Sequence, residues 1–349
     1  MVSYQARCPS RPPAPPPTRL LLLLLAARCA ADSDVTLRVF ADGSGDYSSV
    51  QAALDSLAPG AHPELGHVTL LLAGTFRERV VVYSNFSRGV DLVAASSAGG
   101  GARPLVVYNE SGAGGRSCSG SGGPGTSGSY TMRIDAADVR LRGVDVANDA
   151  CGYNHELAGQ SVALAAQGDR GAFFGVRLLG SQDTLYTGRN NRLYFADAFV
   201  NGSVDAIFGD GTAVFERAEI AMDFTVTAQK GNGSSAYLFL HCSIDALSGG
   251  PGSLFLGRPW GPLARTVFSG CALGEGVAAA GWQDWGHNCS SAPPSQTWCN
   301  ETFYAEYNNS GPGWRPSERV AWAHVLGDEE GQRWTAQSLL GDWSPAAPP

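Results

Sequence analysis

Lysine is almost absent from this chain. Lys230 stands alone beside 23 arginines, and charged residues of every kind make up only 16% of the 349. Coiled coils and helical bundles draw heavily on Lys, Glu and Ala, so the composition speaks against both. No apolar run approaches the roughly 20 residues that cross a bilayer; the longest, Leu20 to Leu25 with Ala26 and Ala27, holds eight. There is no G-x-S-x-G elbow, which leaves a serine–histidine hydrolase mechanism without support. No C-x-x-C or Cys/His cluster at zinc-ligand spacing occurs. Positive charge is also short. The formal net charge is −8, and residues 1–31 carry four arginines and no acid, leaving 20 basic against 32 acidic residues, or −12, for the rest. A polyanion backbone would be repelled, which excludes nucleic acid as a partner class.

What the chain has in quantity is glycine (45), proline (20) and enough apolar residues (44%) for a large core. That combination points to many short strands joined by many turns. The arginine-bearing, proline-rich start followed by eight apolar residues has signal-peptide proportions, so residues 1–31 read as a secretory leader and 32–349 as one domain. Two features agree with export and with no membrane attachment of the mature form. Asn85, Asn109, Asn201, Asn232, Asn288, Asn300 and Asn308 each open an N-x-S/T triplet. Six cysteines remain after the leader (Cys118, Cys151, Cys242, Cys271, Cys289, Cys299), compatible with three disulfides in fifteen possible pairings. Cys289 and Cys299 are the simplest pair because they close a short loop.

A helix is expected near Tyr47–Leu57, where Val50, Ala53 and Leu57 share a face and could cover the open end of a β structure. Val68–Phe76 reads as one strand ending in a Gly-Thr-Phe turn, Met132–Val146 alternates loosely, and residues 111–129 form a low-complexity loop. The middle of the chain contains a register. Leu178, Val200, Ile220 and Ile244 follow at intervals of 22, 20 and 24, closing the phrases GAFFGVRL, LYFADAFV, AVFERAEI and LFLHCSI. Val176, Ala198, Ala218 and Cys242 keep the same intervals two positions earlier. A β-sandwich also spaces its strands evenly but does not explain similar side chains at equivalent positions. A solenoid does, because each turn stacks like residues on its neighbour. The expected fold is a single all-β, right-handed parallel β-helix with turns of about 22 residues.

The register also stacks polar groups. Gln160 and Gln182 are 22 apart, and Asp183 and Asp205 are again 22 apart, so adjacent turns would bring the two acids within roughly 5–7 Å. Acids that close split their pKa values, one charged and one protonated. That suits a nucleophile and a proton donor. Glycoside hydrolysis uses two carboxylates as well, but the paired amides favour ester hydrolysis, where charge builds on a carbonyl oxygen. A hydrogen-bonded scaffold without catalysis is the third reading. Arg258, in LGRPW, could hold Asp205 ionised, and Trp260 could lie against a sugar face. Trp282 and Trp285 in GWQDW are further candidates, while His241 falls in the register and reads as structural.

At these residues the chain resembles the pectin methylesterase (pectinesterase) family. The matching stretches are GDYSSVQAALDSL (45–57), GTFRERVVV (74–82), GQSVAL (159–164), QDTLY (182–186), VDAIFG (204–209), TAQ (227–229), LGRPWGPLARTVF (256–268) and, further on, GW and AEYNNSGPG. The resemblance implies a β-helix that demethylates methyl-esterified polygalacturonate, working as a cofactor-free monomer outside the cell or in the cell wall. It implies Asp205 as nucleophile, Asp183 as general acid then base, Gln160 and Gln182 as oxyanion donors, and Arg258 as the residue that orients the nucleophile. Trp260 takes a sugar-contacting position, Tyr186 and Phe208 line the cleft, and Trp282 completes it. A β-helix hydrolase or lyase of polygalacturonate, or a carbohydrate-binding β-helix, is the alternative. Two departures stand out: Ala206 replaces the usual Phe after the nucleophile, and Val176 replaces a frequent Cys. The short form without an inhibitor-like pro-domain is expected. The acidic net charge predicts a preference for highly methylated substrate, unless a local positive patch in the cleft overrides it.

Overall fold

The structure, a computed structural model, describes residues 33–57, 65–86, 89–95, 102–112, 123–153, 158–289 and 298–345. The expected leader, Cys118 and most of the glycine–serine loop lie outside them. Every strand pairing among the described residues is parallel, and the strands form three sheets of 11, 8 and 7. One coil runs from Arg192–Ala196 through Phe199–Gly202 and Ile207–Gly209, and the next begins at Thr212–Glu216, directly beside the first. This is the right-handed parallel β-helix that the register predicts. Leu178 pairs with Val200, Val200 with Ile220 and Ile220 with Ile244.

Inside the coil the same intervals align phenyl rings. Phe173, Phe195, Phe215, Phe239 and Phe268 form a column with centroid spacings of 4.4, 4.6, 4.7 and 4.3 Å and planes within 10°. The spacing is set by the strand-to-strand distance of about 4.8 Å, which is also close to the contact distance of offset rings. The corner after the 11-stranded sheet repeats as well. It has positive φ in successive turns, at Gly175 (55°), Asp197 (52°), Arg217 (53°), His241 (53°) and Gly270 (65°).

One stretch read as a strand and one that alternates loosely are broken by such corners. Val68–Phe76 is a strand over Leu65–Ala73, a left-handed Gly74 (φ 95°) and a new strand, Thr75–Arg77, in another sheet. Met132–Val146 spans three strands, one in each sheet. A period of two cannot show where a solenoid turns, because the pattern resumes after each corner.

The N-terminal end is closed by the helix Val50–Ser56, with Val50, Ala53, Leu54 and Leu57 buried. Ser49 caps it, and Glu78 accepts hydrogen bonds from the backbone N–H of Val50 and Gln51 (2.7 and 3.2 Å), satisfying free donors of the first turn. Near the other terminus, Leu326, Trp334, Leu340 and Trp343 cover the outward residues Val214, Leu238, Val267 and Ala305 of the largest sheet. Cys289 and Cys299 are bonded and Cys151 is disulfide-bonded too, whereas Cys242 and Cys271 are buried free thiols in the interior. With Cys242 and Cys271 free, the six cysteines beyond the expected leader do not pair into three disulfides.

Candidate active site

The outward face of the seven-stranded sheet carries one column in register: Ala165 beside Tyr186, Tyr186 beside Phe208, and Phe208 beside Ala228. It floors a cleft of about 450 Å³ whose walls include Tyr130, Gln160, Gln182, Asp183, Asp205, Trp260 and Trp285. Tyr186 and Phe208 lie 5.1 Å apart and Phe208 and Trp260 6.1 Å, so an aromatic line runs along the floor toward the rim. The two glutamines pair across adjacent turns, and the backbone N–H of Asp183 donates to the carbonyl of Val204 (3.0 Å). Leu185 pairs with Ile207, so Asp183 stands one turn from Asp205 in the same column.

Both acids occupy left-handed backbone, φ 63° at Asp183 and 52° at Asp205. Aspartate is among the few side chains that tolerate this region. The turn from the 8-stranded to the 7-stranded sheet therefore admits the residue type that the chemistry needs.

Asp205 is held from two sides. Arg258 clasps it in a bidentate pair, Nε to Oδ1 at 2.8 Å and Nη2 to Oδ2 at 2.6 Å. Thr225 Oγ1 donates to Oδ1 (2.8 Å) and accepts from the Asp205 N–H (2.9 Å). The guanidinium is fixed in turn, with its carbon 3.9 Å from the Trp285 ring centroid and 5.8 Å from that of Phe224. Asp183 is different. It is 8% exposed, and burial first, then the neighbouring charge of Asp205, raise its pKa well above the ordinary carboxylate value against the opposing pull of Arg258. The column thus presents one clamped carboxylate beside one carboxyl whose protonated form burial favours. Among the described residues no group of three His, Cys, Asp or Glu side chains is placed to hold a metal.

Nine of the ten residues singled out by sequence converge here. Trp282 does not. It is 1% exposed, packed against Phe268 and Tyr304 at the end of the phenyl column. Trp285, three residues on at a left-handed corner (φ 52°), reaches the cleft in its place. Residues three apart on an extended chain face opposite ways, and GWQDW alone does not reveal which of the two faces inward. Trp282→Ala should therefore cost stability, about 3–5 kcal/mol for a buried aromatic, whereas Trp285→Ala should spare the core, raise KM by removing a cleft wall and lower kcat by loosening Arg258. Thermal melts and KM values of the two variants side by side check the distinction. Ala206 is fully buried in the core, so the volume missing there lies inside the coil. Tyr130, Val162, Ala165 and Ala228 were not singled out. The last three sit in the register already read, but small apolar side chains carry no chemical signal.

A profile of the pectinesterase family matches residues 36–342. Pectinesterase 31 of Arabidopsis thaliana is 34% identical over 328 residues, covering 87% of this chain and 92% of its own. Among solved structures, the pectin methylesterase from carrot superposes with a TM-score of 0.72 at 27% identity, covering 87% of this chain and 92% of its own. A pectin methylesterase in complex with a hexasaccharide gives 0.70 at 25% identity, covering 89% and 98%. A family profile spanning nearly all of the described coil, together with relatives matched over most of their own length, establishes that this chain belongs to the pectinesterase family of carboxylic ester hydrolases.

Proposed function

We propose that this pectinesterase demethylates pectin through an acyl-enzyme on Asp205. The observation that carries this reading is the asymmetry of the two acids: one clamped by Arg258 and Thr225, the other pushed toward its protonated form by burial and by its neighbour. A carboxylate oxygen of Asp205 attacks the C6 ester carbonyl of a galacturonate methyl ester. The amide N–H groups of Gln160 and Gln182 stabilise the oxyanion. Asp183 gives its proton to the departing methanol, then takes one from the water that opens the acyl-enzyme, restoring both acids. Arg258 positions the nucleophile; with both carboxylate oxygens in its grip it has little left for substrate. Tyr186, Phe208, Trp260 and Trp285 supply the faces against which sugar rings rest. A pectin methylesterase solved with a bound hexasaccharide supports a polygalacturonate chain as substrate.

Methanol release from highly methylated pectin tests the reading. Chain shortening without methanol would move the assignment to a glycoside hydrolase or lyase. Gln160→Leu and Gln182→Leu should each lower kcat by about 10²–10³-fold, the scale for one oxyanion donor, with a smaller change in KM. Unaltered kcat in both folded variants would remove the glutamines from the mechanism.

Export is part of the same proposal: residues 1–31 as leader, 32–349 as the mature domain, and the cell wall as destination. No helix among the described residues is long and apolar enough to cross a membrane. Asn85, Asn109, Asn288, Asn300 and Asn308 are exposed, while Asn201 and Asn232 are partly buried. Glycopeptide mapping of protein from a secretory host should find sugar on members of the first group, and an intact leader would overturn the export reading.

A further inference from the structure

The column of the two acids has a third member. Leu185 pairs with Ile207 and Ile207 with Thr227, so Asp183, Asp205 and Thr225 occupy one position in three successive turns. Asp183 follows the ordinary ladder there: its N–H donates to the backbone carbonyl of Val204 in the next turn (3.0 Å). Asp205 departs from it. Its N–H donates to the side-chain oxygen of Thr225 (2.9 Å), while the Phe224 carbonyl, the equivalent of Val204, accepts from the Phe255 N–H (2.7 Å). A hydroxyl that accepts along one direction donates along another. Taking this N–H turns the Thr225 proton toward the Asp205 side chain, where it meets Oδ1 at 2.8 Å. Both residues are buried, which keeps water from competing for either contact.

The donors fall unequally on the two carboxylate oxygens. Oδ1 accepts from Arg258 Nε (2.8 Å) and from Thr225 Oγ1, Oδ2 from Arg258 Nη2 (2.6 Å). Each oxygen offers two lone-pair sites. Both are engaged on Oδ1, and one is left on Oδ2. Arg258 grips the two oxygens alike; Thr225 makes them different.

We infer, on the esterase reading above, that Thr225 is a positioning residue that selects the attacking atom: it fixes Oδ1 as an acceptor, so that Oδ2 delivers its free lone pair to the ester carbon. The Oδ2–C6 bond forms as the carbonyl π pair moves onto the ester carbonyl oxygen. That pair then returns, the bond from C6 to the methoxy oxygen breaks, and methanol departs with the proton of Asp183. The acyl-enzyme is a mixed anhydride in which Oδ1 has become the carbonyl oxygen of Asp205, facing the same two donors. Water attacks C6 while Asp183 takes its proton, the Oδ2–C6 bond breaks, and the electron pair returns to Oδ2. Through both steps the hydroxyl keeps the carboxylate from turning.

Methanol release from highly methylated pectin by Thr225→Val, Thr225→Ser and Thr225→Cys tests this, with a thermal melt on each preparation. Valine matches the shape of threonine without its hydroxyl. It should lower kcat by about 10–100-fold, the scale on which a misaligned attack is felt, and leave KM within about twofold, because Thr225 acts through Asp205 rather than on bound substrate. Serine keeps the donor and the acceptor and should recover most of the loss, and the weakly donating thiol of cysteine should fall between them. A hydroxyl that only supports the fold would lower the melting temperature of Thr225→Val and leave the kcat of the folded enzyme unchanged. That result overturns the inference, as does a loss confined to KM or an equal loss of kcat in Thr225→Ser and Thr225→Val. Should the valine variant not fold, a kcat for Thr225→Cys equal to that of Thr225→Ser overturns it. No methanol from the parent protein sinks the esterase reading and this inference with it, whereas methanol from the parent with a kcat indifferent to the Thr225 hydroxyl sinks the inference alone.

Discussion

Asp205→Asn is expected to give a folded protein that has lost at least ~10³-fold of its kcat, the scale for removing the group that makes the covalent bond. The amide has the size of the carboxylate and keeps one oxygen to accept from Arg258 or Thr225. It cannot attack an ester, and it no longer balances the guanidinium. Arg258 is only 12% exposed at its side chain, so its charge is left largely in the interior. Removing one partner of a buried pair outright costs about 3–5 kcal/mol, and the residual acceptor should keep the loss below that. The variant should therefore melt lower than the parent yet still cooperatively. Methanol release and a thermal melt on the same preparation decide the matter. Turnover near that of the parent in a folded Asp205→Asn protein would end the nucleophile assignment.

Asp183→Asn should lower kcat by about 10²–10⁴-fold, the range for general acid–base catalysis, and raise stability at neutral pH. The sign follows from the pKa. Asp183 is raised in the folded protein, mainly by burial, whereas in the unfolded chain it ionises near the ordinary value of about 3.9. As pH rises from that value through the folded pKa, the folded state holds a proton that the unfolded state has released, so stability falls across this window. Asparagine does not titrate and removes the penalty. The melting advantage of Asp183→Asn should be present at pH 7 and vanish below the usual carboxylate range. An advantage independent of pH would show that Asp183 titrates like an exposed acid. A catalytic group that weakens the fold at working pH is what a selected site tolerates.

Much of this fold was legible because a solenoid writes its geometry into the sequence as a period. The intervals separating Leu178, Val200, Ile220 and Ile244 are the pairing register itself, and the same intervals placed Gln160 beside Gln182 and Asp183 beside Asp205. The corners were not legible. At Gly74 one left-handed residue redirects the chain into another sheet, and side-chain periodicity holds no record of that dihedral. Trp282 was misplaced because two tryptophans three residues apart face opposite ways and the sequence does not mark which one faces the core.

The phenyl column keeps step although its turns differ in length: its members are 22, 20, 24 and 29 residues apart. The short turn passes from Ile207–Gly209 to Thr212–Glu216 through two residues, whereas 230–236 and 258–264 are seven-residue excursions. Those excursions carry Lys230, Arg258 and Trp260. Hydrogen bonds run along the coil axis and rings stack along it, so a loop that grows sideways disturbs neither. Descent with modification can then lengthen or exchange the cleft walls while the interior column is inherited unchanged. Substrate preference and folding are written in separate stretches of the chain and are free to evolve at different rates.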